Sequence, residues 1–280
     1  MRVLAALREH WPEYCAEAAG LGAIMFVSGA ATAAVEVPLL PALGGLPPLG
    51  RRMLEGAAIA GTALAAIHSR WGRQSGAHFN PAVTLTFLSL GRIRPLDAAF
   101  YVLAQVLGGL AGLLAAALLL GEAVRQPPVA WIVTVPGEAG IAAAFLAELF
   151  CAFLLMSVVL QLGGLPRTMR FTGLAAGALV FLFIAFEAPV SGFGLNPARS
   201  LASALPAGVW TSFWIYLLAP PLGMLAAARA RALLRRRPMP CAKLIHDTTT
   251  RCIHCGFRPA TAEGAATGRV AGEAEELSHA

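Results

Sequence analysis

Apolar residues run in long blocks along this chain, and the polar positions between them mark where each block starts and stops. Six blocks approach the roughly 20 residues that a helix needs to cross a bilayer's hydrocarbon core. They are Cys15 to Val35, Met53 to Ile67, Ala98 to Gly121, Ala139 to Gly163, Phe171 to Phe186 and Val209 to Ala228. The shorter blocks cross if flanking groups reach out to the interface. Two further apolar runs, PAVTLTFLSL after Asn80 and PARSLASAL after Asn196, last only about ten residues, too few to cross. They predict half-spans. Irregular backbone leading into such a half-span is tolerated at membrane depth only where protein buries it or a wet cavity bathes it.

Both half-spans open in the same way: Gly76 to Thr86 reads GAHFNPAVTLT, and Gly192 to Arg199 reads GFGLNPAR. Asn is a strong N-cap because its side-chain oxygen accepts from a first-turn N–H, and Pro at the next position has a helical φ and needs no acceptor. Asn80 and Asn196 are therefore expected to cap two short helices that begin with Pro81, Ala82 and Pro197, Ala198. A capping Asn keeps its NH2 group to donate into the space ahead of the helix, where the helix N-terminus adds partial positive charge.

The blocks also repeat. The first carries AEAAGLGAIMF with Glu17 and the fourth AELFCAFLLM with Glu148; the third carries YVLAQVLGG and the sixth YLLAPPLGM. Three spans per half is an odd number, so the halves must be inverted in the membrane, with both half-helix N-termini meeting at the midplane. The expected fold is an all-α membrane protein of six transmembrane helices plus two re-entrant half-helices in an inverted repeat. Residues 1–237 would form this unit, in halves of about 10–121 and 139–235, followed by a Cys/His tail, 238–258, and a disordered end, 259–280.

Composition agrees: 58% of the 280 residues are hydrophobic, 13% are charged and the mean hydropathy is +0.69, above the roughly 45–50% apolar content of soluble domains. No cleavable signal is expected, since Arg8, Glu9 and His10 break the apolar start and the first span can target the chain itself. The net charge of +6 does not call for nucleic acid, because the basic residues flank apolar blocks or lie in the tail. With the N-terminus in the cytoplasm, thirteen arginines fall inside, including Arg70, Arg73 and the five from Arg229 to Arg237, against Arg51, Arg52 and Arg125 outside. The positive-inside rule thus puts both termini in the cytoplasm, as an even number of spans requires, and an inner or plasma membrane is the expected location.

Ionisable groups inside spans are functional candidates by default. Glu17 and Glu148 can accept from backbone N–H groups of the adjacent irregular loops and brace them, with Gln105 assisting; a proton relay is the competing reading. Arg199, in the first turn of a half-helix and among small apolar neighbours, points to pore lining, against a snorkelling surface arginine. In the tail, Cys241, His246, Cys252 and Cys255 are spaced C-x4-H-x5-C-x2-C. Three thiols and an imidazole suit a tetrahedral zinc, and a reducing compartment argues against disulfides. Free thiols in a floppy tail are the alternative, and His254 is a competing ligand. Cys15 and Cys151 are expected to be packing residues.

SGAHFNPAVT and GFGLNPARS, set in inverted three-span halves, resemble the aquaporin and glycerol-facilitator family, the major intrinsic proteins, over about residues 10 to 235. The resemblance implies a homotetramer with one pore per subunit, passing water or small uncharged solutes through the lipid bilayer with no cofactor. It casts Asn80 and Asn196 as paired midplane donors, and puts His78 in the loop lining the cytoplasmic half-pore. Counting without gaps, it places an outer constriction at Ala60, Ile184, Phe193 and Arg199. Water channels usually have an aromatic where Ala60 stands and His where Ile184 stands, whereas Phe193 resembles glycerol facilitators; Ser200 and Ala204 look aquaporin-like. Solute preference therefore stays open. A secondary transporter, or a metal-sensing or docking protein acting through its tail, are the alternatives; an enzyme is not expected, as no nucleophile, base and orienting group occur together.

Overall fold

The computed structural model describes residues 2–37, 43, 45–234, 236, 239–246 and 249–259; apart from Pro259, the end expected to be disordered lies outside them. The described chain is helical, with no strand among those residues. Six long helices match the six blocks: α1 (Arg2–Glu36), α2 (Pro48–His68), α5 (Pro95–Leu120), α6 (Gly140–Gly163), α7 (Thr172–Phe186) and α9 (Trp214–Leu233). Between them lie α3 (Arg70–Ser75) and the two half-helices, α4 (Pro81–Ser89) and α8 (Pro197–Ala207).

Two boundaries differ from the sequence expectation. Helix α1 starts well before Cys15, because the apolar block marks where a helix enters lipid and not where it begins. Its early turns are held by Asp97 of α5, whose Oδ1 lies 2.7 Å from His10 Nδ1 and accepts from the Tyr14 hydroxyl at 2.7 Å. Helix α9 starts later than Val209, since Ser212 takes a left-handed backbone (φ 50) that no helix continues through. Among the described residues four helical segments are long and apolar enough to cross a membrane by composition alone: Val3–Glu36, Pro95–Leu120, Gly140–Gly163 and Met169–Phe186. Arg51, Arg52 and Glu55 dilute α2, and Pro220, Pro221 and two arginines dilute α9.

Within the first half α1 lies on α5, and within the second α6 lies on α9. The first crossing is a backbone-to-backbone contact: a Cβ on Gly112 would fall 1.9 Å from the Gly22 carbonyl oxygen, and one on Gly108 would fall 2.1 Å from that of Ala18. Gly223 repeats this in the second half, where its Cβ would meet the Leu149 carbonyl oxygen at 2.2 Å. Small residues replace side-chain packing here, as helices without a hydrophobic drive between them require. The half-helices cross over: α8 packs on α5 and α4 on α9, so each half supplies a short helix to the other.

Candidate pore and its tail-side mouth

The two loops that feed the half-helices repeat residue by residue. Gly76, Ala77 and Phe79 have φ of 107, 57 and 48; Gly192, Phe193 and Leu195 have 82, 52 and 45. Left-handed non-glycine residues cost on the order of 1–3 kcal/mol each and persist only where their surroundings hold them. Two buried carboxylates do so. Glu17 Oε1 accepts from the Ser75 hydroxyl at 2.7 Å and the His78 N–H at 3.0 Å, and its Oε2 from the Phe79 N–H at 2.7 Å and Gln105 Nε2 at 2.8 Å. Glu148 Oε1 accepts from the Ser191 hydroxyl at 2.7 Å and the Gly194 N–H at 2.5 Å, and its Oε2 from the Leu195 N–H at 2.6 Å. The Tyr101 and Tyr216 hydroxyls close each set, donating to the Ser75 and Ser191 carbonyls at 2.7 and 2.5 Å. Ser75 and Ser191 escaped the sequence reading, although the aligned Ser-Gly pairs ahead of both motifs were a usable signal.

The asparagines cap as expected: Asn80 Oδ1 accepts from the Ala82 N–H at 2.8 Å, and Asn196 Oδ1 from the Ala198 and Arg199 N–H groups at 3.1 and 3.2 Å. Pro81 and Pro197 occupy the first helical positions. The amide groups are not wholly free, however. Asn80 Nδ2 donates to the Leu195 carbonyl and Asn196 Nδ2 to the Phe79 carbonyl, both at 2.8 Å. These reciprocal bonds clasp the two loops at the centre and leave one N–H on each amide.

Past this clasp runs a cavity of about 310 Å³, bordered by both asparagines, His78, Ile184, Phe193 and Arg199. One stripe of α2 lines it, Glu55, Ile59, Ala63 and Ile67, spaced by four. Ala60 does not border it. One residue on from Ile59, it is turned about 100° round the helix, and its carbonyl oxygen lies 3.5 Å from where a Cβ on Gly177 of α7 would be. Ile59 thus stands on the wall where gap-free counting put Ala60. Arg199 Nη1 is buried without a hydrogen-bond partner among the described residues, so a donor is available to a solute.

At the other mouth the tail covers the pore loop. His78 Nε2 lies 2.8 Å from the Ala242 carbonyl and Nδ1 3.0 Å from Thr84 Oγ1. Because a carbonyl only accepts, Nε2 carries the proton. The Leu244 N–H donates to the Gly76 carbonyl at 3.1 Å, and Leu244 borders the cavity. Burial first, and then neighbouring His78, pushes His254 down to about 4. Its neutral ring stacks on His78 with centroids 6.0 Å apart and sets Nε2 2.9 Å from the Ser75 carbonyl. His254 is thereby turned away from the metal-type cluster.

That cluster is compact: the ligand atoms of Cys241, His246, Cys252 and Cys255 all lie within 4.8 Å of one another. Cys241 and Cys252 sulfurs are 3.4 Å apart, and His246 Nε2 is 3.2 Å from Cys255 Sγ. Zinc with bonds of about 2.0–2.3 Å places tetrahedral ligands about 3.5–3.8 Å apart, so these residues fit one. The neighbouring Cys241 sulfur, hydrogen-bonded to Cys252, pushes the Cys252 thiol below its usual range. Gly256, left-handed at φ 77, returns its N–H to the Cys252 carbonyl at 3.0 Å and closes the turn that pairs Cys252 with Cys255. Of the remaining cysteines Cys151 is buried, while Cys15 is exposed on the outer face of α1 and is not a packing residue.

Residues 5–230 match the model of the major intrinsic protein family. The chain belongs to that family. Among similar sequences, aquaporin NIP1-1 of Zea mays is 36% identical over 179 residues, which cover 64% of this chain and 62% of that protein. Aquaporin NIP3-1 of Zea mays is 38% identical over 187 residues, covering 66% of this chain and 59% of that one. The chain thus spans about three fifths of the length of the curated relatives it matches. The X-ray structure of the aquaglyceroporin from Plasmodium falciparum superposes with a TM-score of 0.66 at 23% identity, covering 80% of this chain and 96% of that one; at this identity it speaks for the fold. The member of the family described here is an integral membrane protein.

Proposed function

We propose that this major intrinsic protein is a passive channel for water and small neutral solutes that excludes ions and protons. The observation that carries the reading is the cavity that passes two clasped asparagine caps and an arginine with an unpartnered donor. The remaining N–H groups of Asn80 and Asn196 replace part of a solute's hydration shell. Two helix N-termini facing each other there, with Arg199 beyond, raise a barrier to cations. Glu17 and Glu148 have both oxygens engaged by the loops, so they act as braces with Gln105 and not as proton carriers. The same engagement removes Glu17 and Glu148 as a coupling-ion pair. No step of bond chemistry is needed, and we infer a channel and not an enzyme.

Ile184 and Phe193 set apolar walls near Arg199, so the constriction admits neutral solutes somewhat larger than water. Relatives bearing aquaporin names support this substrate class. The wider reading is a homotetramer with both termini cytoplasmic in the plasma or inner membrane, its exposed Leu103, Leu107, Leu114 and Leu118 meeting lipid or a neighbouring subunit. Residues 1–237 form the channel, and Cys241, His246, Cys252 and Cys255 of the 238–258 tail hold one zinc, which supplies a cross-link within the tail.

Stopped-flow light scattering on proteoliposomes, with a zinc chelator on both sides of the membrane, tests the channel. Water should move at least about tenfold faster than through empty vesicles, glycerol should follow more slowly, and a pH-sensitive dye should report no proton flux. Vesicles that respond no faster than empty ones, or that leak protons, sink the proposal.

A further inference from the structure

The tail sits on polar groups of the loop that feeds α4, beside the end of the cavity that His78 and Leu244 border. The His78 Nε2–H and the Gly76 and Ser75 carbonyls are taken by Ala242, Leu244 and His254. Ala242, Lys243 and Leu244 are buried there, at 0, 2 and 5% exposure. A Cβ on Gly76 would come within 3.2 Å of Lys243 Cα, so the tail backbone lies flat against the loop. The docked tail is also tied to α1, through Arg251, which donates to the Glu9 carbonyl and lies 3.5 Å from Glu13 Oε2.

Yet little of this segment holds its own shape. Among the described residues from 239 to 259 there is neither helix nor strand, and the ammonium of buried Lys243 donates only at long range, to the Arg251 carbonyl at 3.3 Å. Segments this short need a cross-link to stay folded, and in small metal modules binding free energy is folding free energy. The four-ligand cluster joins Cys241 and His246, which flank residues 242–245 at the mouth, to Cys252 and Cys255, which flank His254. One ion therefore holds both parts of the cover together.

Resting on the zinc reading of the cluster, we propose that the metal-loaded tail is a plug, and that a soft divalent ion such as zinc closes this pore from the tail side. Losing the ion removes the cross-link, frees the Gly76 carbonyl and the His78 Nε2–H, and opens the mouth.

The test uses full-length protein in proteoliposomes, equilibrated on both sides either with zinc or with a membrane-permeant chelator. Elemental analysis of the same protein should give about one zinc per chain. Osmotic water flux should rise at least about fivefold on chelation and fall again when zinc is restored. Cys252→Ser and His246→Ala should be open in zinc, as should a chain ending at Arg237. Size-exclusion profiles of the variants report folding, and the chelation arm requires no variant. One zinc per chain with flux unchanged by chelation overturns the gate and leaves the site. Less than about 0.2 zinc per chain overturns both the site and the gate. Failure of chelated vesicles to conduct water overturns the channel instead. If truncation opens the pore and chelation does not, the plug stands without its metal control, and the proposal fails.

Discussion

Glu17 answers four donors: the Ser75 hydroxyl, two backbone N–H groups and the Gln105 amide. Each buried donor left unpartnered costs about 1–3 kcal/mol. Glu17→Ala should therefore abolish folded yield, whereas Glu17→Gln, with Gln105 flipped to accept, should leave only part of the set unpaired. Thermal melts in detergent should rank wild type above Gln, with Ala below detection; a Gln variant as stable as wild type but without water flux would favour a proton or ion path. Ile184 lies on the cavity wall, and Ile184→His would add a donor and a polar edge near Arg199. The glycerol-to-water permeability ratio should then fall by about threefold or more, and an unchanged ratio would remove Ile184 from the constriction. Residue roles were legible where local chemistry dictates them: an Asn-Pro start declares a cap, and a lone carboxylate in an apolar block declares a buried acceptor. Counting fixes a height along α2 and not an azimuth, and it is Ile59, one residue from Ala60, that borders the cavity. A one-residue change rotates a side chain by about 100°.

At the level of helices, the long apolar blocks gave the spans because bilayer thickness sets their length. The ends were harder: α1 runs on past Arg8, Glu9 and His10, and its extension is stabilised by Asp97, a contact with no periodic signature. The helix crossings rest on glycines that apolar patterning does not single out. Gly112→Val would drive a side chain into the Gly22 carbonyl, an overpacking cost of about 3 kcal/mol or more. It should reduce the folded fraction in size-exclusion chromatography, while Gly61→Val, where a Cβ meets open space, should not. Equal profiles for both would mean that α1 and α5 do not cross so closely.

For the molecule as a whole, the tail shows what sequence spacing conveys and what it does not. C-x4-H-x5-C-x2-C pointed to four side chains whose donor atoms the structure brings within 4.8 Å of one another, but where an irregular segment docks depends on surfaces that no pattern in the segment encodes. Its docking can be read by trypsin. Lys243 is buried and Arg251 is held on Glu9 and Glu13, so zinc-loaded protein should resist cleavage at both and chelated protein should be cut within minutes, as mass spectrometry of the fragments would show. Equal cleavage rates would mean that the metal does not order the tail.

The reciprocal asparagine clasp also sets a schedule for the chain's birth. Asn80 waits for a carbonyl 115 positions further along, at Leu195. At about 5–20 residues per second of synthesis, that is about 6–23 s. Through that interval the first half stands in the membrane with its short helix lacking α9, the surface it will rest on, and with a polar loop unshielded from lipid. The newborn half is thus a natural client for membrane chaperones and proteases, and mutations that slow synthesis of the second half should deplete the protein without altering a single contact in its finished form.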